Sequence, residues 1–370
     1  MKRVGIDMHV VDGIYQGSRS HVLEIFSRIV SICPEIQFFL FLEKTEVLKT
    51  WSSAFSLPNV KLVKMPHSNP LKRLSYVLPS MQRKYKLDLL HTQYISPFPS
   101  YCKTIITLHD VLFESHPEYF SKLFTLRSKI LMRLSAGRSA HVFTVSEYSK
   151  KEIIDRYGVT QENISVILNG VDQSKFYAGD DARDPVISRG LIPREYILTV
   201  GRLEPRKNHE LLIRAYAKLN TKQPLVLVGQ KHFGYQHIDK LIEELGLRKR
   251  VLIFEDINDD ELPSFYRHAN AFVYPTWAEG FGMPIIEAMA SGIPVIASNT
   301  TSIPEVVGDA GILIDPANLD ELVNAMDSIL MNREYANQLA KRGLEKYSVY
   351  DWNYSASVVR CVYQKILGIV

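Results

Sequence analysis

The run from Pro275 to Pro294, PTWAEGFGMPIIEAMASGIP, follows four apolar residues, Ala271, Phe272, Val273 and Tyr274, that read as a buried strand. Pro284 stands where a helix tolerates proline at its first position, and Gly292 with Pro294 stops continuation. The spacing therefore predicts a short helix over 284–291. Gly280 and Gly282 let the backbone ahead of that helix come close to a ligand, and the first helical N–H groups have no internal partner. Such a helix start accepts phosphate or sugar oxygens. Glu279 falls in the loop and Glu287 in the first turn, eight positions apart. Ionised carboxylates only accept hydrogen bonds, so each suits a pair of neighbouring hydroxyls. The plainer alternative is that Glu287 complements the helix dipole and Glu279 is a solvated loop acid.

Working outward, strand, loop and helix alternate along the whole chain. Arg3–Met8, Gln37–Leu42, Val60–Met65, Leu87–His91, Thr104–Leu108, His141–Val145 and Ile164–Leu168 read as strands of a first series. Tyr196–Val200, Leu225–Val228, Val251–Phe254, Ala271–Tyr274, Val295–Ala297 and Ile312–Ile314 form a second, with helices expected at 208–219, 236–246, 259–269, 284–291 and 319–331. That alternation predicts an α/β protein with parallel sheets covered on both faces. The polar stretch Gly179–Pro185 reads as a linker, which gives a first domain over 1–180, joined by a terminal helix at 350–370, and a second over 190–349. Two Rossmann-like halves of this kind are expected to face a cleft.

At 370 residues and 46% hydrophobic content the chain suits two globular cores. Cys33, Cys102 and Cys361 are scattered and odd in number, which argues against a disulfide framework and fits a reducing compartment. No stretch has the length of a membrane-spanning helix, and Asp7 interrupts the first apolar run before a signal core forms. The net charge of +4 is unevenly spread: residues 61–140 hold thirteen Lys/Arg against four Asp/Glu. Predicted helices at 70–86 (Lys72, Arg73, Arg83, Lys84) and 120–138 (Lys122, Arg127, Lys129, Arg133) carry that excess. An anionic membrane surface is the partner it suggests, against the plain reading of two solvated helices. No nucleic-acid recognition motif accompanies the charge, so nucleic acid is not an expected partner.

The run Glu279-Gly280-Phe281-Gly282-Met283-Pro284, then Glu287, Gly292 and Pro294, resembles the Glu-x7-Glu signature of GT-B glycosyltransferase family 4, also called group 1. The resemblance extends over nearly the whole chain and is most specific at 201–208 and 271–294. It implies a GT-B fold whose C-terminal helix crosses back to the first domain, and a retaining, metal-independent hexosyltransferase. The implied donor is a nucleotide sugar, GDP-mannose by family similarity or else a UDP-sugar. The implied acceptor is a glycan or lipid-linked glycan, as in the making of a surface polysaccharide, with the enzyme cytoplasmic or peripheral at the inner face of the membrane. A nucleotide-sugar epimerase of the same architecture is the alternative, disfavoured by the Glu-x7-Glu run.

Within that resemblance Glu279 holds sugar hydroxyls and Glu287 the ribose, while Gly280, Phe281, Gly282 and Met283 line the donor. Gly201 to Asn208 follows a strand, so Arg202 and Lys207 emerge at its carboxyl edge. As a pair they can neutralise a leaving diphosphate with no metal, although a solvated turn is the commoner fate of such charges. His109, at the end of another strand, is a core histidine in isolation. In the family context it reaches the transferred sugar or the acceptor hydroxyl, and the later His116-Pro117 pair supports this. Gly17, after Gly13 in the first loop, is a weaker donor-side candidate because the spacing departs from the family's adjacent glycines. Ser146 and Asn169 read equally well as cap or turn residues. The acidic stretch from Glu255 to Glu261 reads as a helix start capped by Asn258, so no metal and no cofactor are expected.

Overall fold

The computed structural model describes residues 1–13, 17–232 and 234–369, and these form two compact units. The first comprises Met1–Asn169 with Asp351–Val370, and the second Gly170–Tyr350. In the first, strands β1 (Lys2–Asp7), β2 (Ile36–Leu42), β3 (Val60–Lys64), β4 (Leu89–Gln93), β5 (Lys103–Thr107), β6 (His141–Thr144) and β7 (Ile164–Val166) pair in parallel in the order β3-β2-β1-β4-β5-β6-β7. The second unit has β8 (Ile197–Val200), β9 (Leu225–Val228), β10 (Val251–Phe254), β11 (Ala271–Tyr274), β12 (Val295–Ser298) and β13 (Gly311–Ile314), ordered β10-β9-β8-β11-β12-β13. Strands such as FLFL in β2 and AFVY in β11 are buried on both faces, as near-continuous apolar runs in a parallel sheet must be.

Both sheets reverse direction of growth at one place, between β1 and β4 and between β8 and β11. Loops leaving adjacent strands there diverge to opposite faces and open a crevice at the carboxyl edge. The loop after β8 is Gly201–Asn208 and the loop after β11 is Pro275–Gly282. The two stretches singled out in the sequence are therefore neighbours at the switch point of the second sheet.

Boundaries shift for local reasons. The short helix runs Met283–Ala290, starting one residue early, and ends as expected at Gly292, whose φ of +69° glycine adopts at no steric cost. Asn258 caps the next segment in a reciprocal box: its Oδ1 accepts from Asp260 N and Glu261 N at 3.0 Å, while its own N–H donates to Glu261 Oε2 at 3.2 Å. Helical geometry then begins only at Leu262. The 70–86 helix is broken into Pro70–Lys72, a π-turn at Arg73–Val77 and Leu78–Tyr85. Pro79 cannot donate to the carbonyl four residues back, and the widened turn absorbs that loss.

The stretch Gly179–Pro185, expected as a linker, packs onto the second unit instead. Ser264 Oγ donates to Ala182 O, His268 Nε2 bonds Asp181 O at 2.7 Å, and Val186 is fully buried. The terminal helix Trp352–Leu367 packs on the Gly17–Ile32 helix of the first unit. Arg28 Nε donates to Asn353 Oδ1 at 3.1 Å, and Tyr363 is buried with its hydroxyl 2.7 Å from His91 Nδ1.

A candidate donor site at the carboxyl edge of the second sheet

Asn208 explains how the two loops are held. It adopts the left-handed conformation that asparagine tolerates, and its amide donates to Pro275 O at 3.0 Å and Pro316 O at 2.9 Å. Loops after β8, β11 and β13 are thereby pinned by one side chain. Gly229, after β9, lies so close to this knot that a Cβ on it would stand 2.1 Å from Gly201 O. Gly282, at φ +108°, sets the entry into the Met283–Ala290 helix, where a Cβ would crowd Ile303 and Ile285.

Glu279 sits in the middle of this frame with 9% of its surface exposed. Its Oε1 accepts from Lys207 Nζ at 2.6 Å, Tyr274 OH at 2.9 Å and Thr276 Oγ1 at 3.2 Å, and lies 2.9 Å from Arg206 NH1. All four partners converge on that one oxygen, and Oε2 takes none of them. The backbone of Glu279 is fixed as well, its N–H donating to Thr301 Oγ1 and its carbonyl accepting from Ser302 Oγ. Burial alone would raise the carboxyl pKa. The Arg206 guanidinium, the Lys207 ammonium and hydrogen bonds from Lys207 and Tyr274 outweigh it and hold the group at about 2.

Lys207 also donates to Tyr274 OH at 2.6 Å, leaving its third proton with no acceptor among the described residues. Burial pulls its pKa down, against the pull of Glu279. Arg206 is bound between Glu279 and Glu204, the latter at 2.8 Å, and donates to Ala278 O. Two cations thus meet two carboxylates. Arg202 is in surplus: its NH2 is buried with no hydrogen-bond partner among the described residues.

The other acid of the stretch is in a different condition. Glu287, one turn into the helix, is buried enough to be pushed up to about 7, with Tyr266 OH opposing that shift and Asp259 adding to it. The ring of Phe281 is turned inward onto Tyr350, centroids 5.7 Å apart, so a ligand would meet its backbone rather than its ring. Met283 is half-buried at the helix start, and Gly280 is buried beside Glu279. No three or more His, Cys, Asp or Glu side chains gather as a metal would require among the described residues.

His109 and Gly17 lie in the first unit. Gly17 opens the Gly17–Ile32 helix; the residues between Gly13 and Gly17 fall outside the described set. His109 follows β5, donates from Nε2 to Gln93 Oε1 at 3.0 Å, and meets His21 edge to face with ring centroids 4.8 Å apart. Burial, then the neighbouring His21 and His91, keep it neutral far below the usual imidazole range. His21 in turn bonds Asn169 Oδ1 at 2.7 Å and packs on Trp352. Ser146 is the cap of the Glu147–Tyr157 helix, accepting from Ser149 N at 3.0 Å.

Sequence reasoning passed over Arg206, Tyr274, Thr276 and Asn208. Arg206 and Asn208 stood inside the run 201–208, flanking Lys207, and that adjacency was the signal available. It also passed over Asp7 at the end of β1, fully buried, 3.5 Å from Arg73 and 3.1 Å from His9 Nδ1. Burial raises the Asp7 carboxyl to about 6 against the pull of Arg73. Arg73, expected on an outward basic face, is therefore turned inward.

Comparison with known proteins agrees with this architecture. Residues 190–346 match the family described as glycosyl transferases group 1, and residues 32–175 match glycosyltransferase family 4. O-antigen chain mannosyltransferase B of Escherichia coli is 31% identical over 255 residues, 68% of this chain and 67% of that protein. The serotype-specific mannosyltransferase WbdA of Escherichia coli is 29% identical over 260 residues, 68% of this chain but only 32% of that longer protein. Among solved structures, sucrose-phosphate synthase from Thermosynechococcus elongatus superposes with a TM-score of 0.79 at 21% identity over the full length of both chains. Anabaena Alr3699/HepE, solved in complex with UDP, gives 0.77 at 21% identity over 99% of this chain and 100% of that one. These structural likenesses establish the GT-B fold, and with the sequence relationships they place the chain in family 4, the group 1 glycosyltransferases, whose members are retaining hexosyltransferases.

Proposed function

We propose that this glycosyltransferase moves a mannose from GDP-mannose to a glycan acceptor, a lipid-linked precursor of a surface polysaccharide, at the cytoplasmic side of the membrane. The observation that carries the donor half is the saturation of Glu279 Oε1 by Arg206, Lys207, Tyr274 and Thr276 beside Arg202, whose buried NH2 has no hydrogen-bond partner among the described residues. Glu279 Oε2 is left to accept sugar hydroxyls, and the surplus Arg202 with the spare Lys207 proton meets the diphosphate. As the bond from the anomeric carbon to the diphosphate breaks, the negative charge developing on the leaving oxygens is met by fixed cations, with no reorganisation needed. The acceptor oxygen bonds that carbon on the face the diphosphate leaves, and its proton departs to the diphosphate or to water. Gly280, Gly282 and the first N–H groups of the Met283–Ala290 helix face the diphosphate, and Glu287 accepts from the ribose hydroxyls. His109, uncharged, serves as a hydrogen-bonding group for the sugar or the acceptor hydroxyl.

Mannose is supported by the names of the Escherichia coli relatives at about 30% identity. The test is nucleoside diphosphate release from purified protein given GDP-mannose, UDP-glucose or UDP-galactose, with and without a mannosylated lipid acceptor. Release from GDP-mannose that rises with acceptor is expected. Turnover with a UDP-sugar alone overturns the mannosyl assignment, and conversion of the sugar to its epimer without acceptor overturns transfer.

A further inference from the structure

The Lys122–Arg138 helix of the first unit carries a row of apolar side chains on its outward face. Its buried face is made of Ser128, Met132, Ser135 and Ala136, with Ser135 Oγ accepting from Ser96 N at 3.1 Å and donating to Leu131 O. The outward face carries Leu123, Leu126, Ile130 and Leu134, exposed by 79%, 60%, 51% and 47%. Their spacing of three, four and four residues sets them on one stripe along a helix about 25 Å long. Met132 and Ala136 join the core on the inner face, and the outward face, polar in an ordinary surface helix, is apolar as well.

Cations flank the stripe on both sides. By helical rotation Lys122 and Arg133 border one edge, Arg127 and Arg138 the other, and all four are exposed. Arg138 also stacks 4.6 Å over the ring of Phe98, itself 67% exposed, so the apolar surface continues onto the neighbouring loop. Lys129 is the exception, paired with Glu114 at 3.4 Å.

We infer that this face docks the enzyme on an anionic lipid bilayer, the leucines and Phe98 entering the headgroup boundary and the cations lying over lipid phosphates. An apolar stripe between two basic rows is what an interfacial helix presents, and long basic side chains reach outward from such a stripe to the headgroups. No helix among the described residues is long and apolar enough to cross a membrane, so the contact is to the surface. A second copy of the chain is a poorer occupant, because two such faces would bring like charges together. The inference moves the docking surface away from Lys72, Arg73, Arg83 and Lys84. Arg73 is bound to Asp7, and Arg83 lies 3.6 Å over the ring of Tyr101.

Vesicle sedimentation tests it without any donor or acceptor, so its outcome is separate from that of the proposed reaction. Vesicles of phosphatidylcholine, alone or with phosphatidylglycerol, are mixed with wild type, a Leu126→Ser/Ile130→Ser/Leu134→Ser variant and a Lys122→Gln/Arg127→Gln/Arg133→Gln variant. Wild type should partition to the anionic vesicles at least tenfold more than to neutral ones, and lose that preference in high salt. The serine variant should lose roughly 100-fold in partition and the glutamine variant about tenfold or more, each with an unchanged melting temperature because the altered side chains are exposed. Should a variant unfold, the salt and lipid-charge dependence of wild type still decides. Wild type indifferent to lipid charge, a folded serine variant that binds as well as wild type, or a dimer in solution that the serine variant dissolves would each overturn the inference.

Discussion

At the carboxyl edge of the six-stranded sheet, Glu279, Arg206 and Lys207 remain ionised although largely buried, because each charge is met by an opposite one within 3 Å. At the same edge of the seven-stranded sheet, His21 and His109 are buried against each other with no carboxylate partner among the described residues, and His21 is driven down to about 4. Strand order is the same up to the sixth strand, yet one edge has charge locked in and the other has charge driven out. Topology supplies a crevice; its electrostatic character comes from whether a counter-charge stands within reach when solvent is removed. The charged edge suits an anionic leaving group, the neutral one an uncharged hydroxyl.

Breaking the charged edge should have the largest effect. Lys207→Ala or Glu279→Ala should lower kcat by about 10²- to 10³-fold, the scale for losing a preorganised charge-stabilising group. Arg206→Ala should also cost about 3 kcal/mol of stability, since it strands two carboxylates, Glu204 and Glu279, in a buried setting. Melting curves and steady-state kinetics on the purified variants measure both. Full activity with unchanged melting in Arg206→Ala would remove the ion cluster from the mechanism.

Arg202 sharpens the contrast within that edge. With no hydrogen-bond partner for its NH2 among the described residues, Arg202→Ala should reduce turnover roughly 10²-fold and leave the melting temperature where it was. A drop in stability equal to that of Arg206→Ala would show that Arg202 serves the fold instead.

For the neutral edge, His109→Ala should lower kcat by about tenfold or more while nucleoside diphosphate affinity, read by calorimetry, stays near wild type. Because its pKa is displaced well below 6.5, wild-type kcat should show no imidazole titration between pH 6 and 8. A step near pH 6.5 that vanishes in His109→Ala would contradict a neutral role.

The smallest effect is expected at Glu287. Its carboxyl is raised from 4.5 to about 7, so the folded protein favours the protonated form, and this contribution to stability is complete below pH 4.5 and lost as pH rises through 7. Glu287→Gln should therefore stabilise the ligand-free protein by about 1 kcal/mol at pH 8 and do nothing at pH 4.5. The same change should weaken donor binding at pH 8, where the carboxylate would accept from the ribose. Glu279 behaves oppositely: its stabilising charge is present above pH 4.5 and lost as pH falls toward 2. Identical pH profiles for Glu287→Gln and wild type would place Glu287 outside the donor site.

The strands were largely legible because a parallel sheet buried on both faces writes itself as uninterrupted apolar runs; β9, β10 and β11 fall on the expected residues, and the others within two. Among the helices that were not read are Ile303–Val307 and Arg333–Lys346. The first is little more than a turn, and the second starts where Asn332 ends one helix and caps the next, so no break in periodicity marks it. Gly282 and Gly292 were readable because glycine takes the positive φ of a helix start or stop, here +108° and +69°, at no steric cost.

Sequence by itself determined the α/β alternation, the helix stop at Gly292 and the two loops, 201–208 and 275–282, that hold the candidate site. Those follow from local rules, periodicity and backbone freedom, which act over a few residues. Tertiary structure alone decided that Arg206 binds Glu279 while Arg202 buries an NH2 with no hydrogen-bond partner among the described residues, that Glu287 is driven toward neutrality, and that Asp7 draws Arg73 inward. Each depends on desolvation and on the distance between charges brought together from separate strands, and neither quantity is written in the order of residues along a chain.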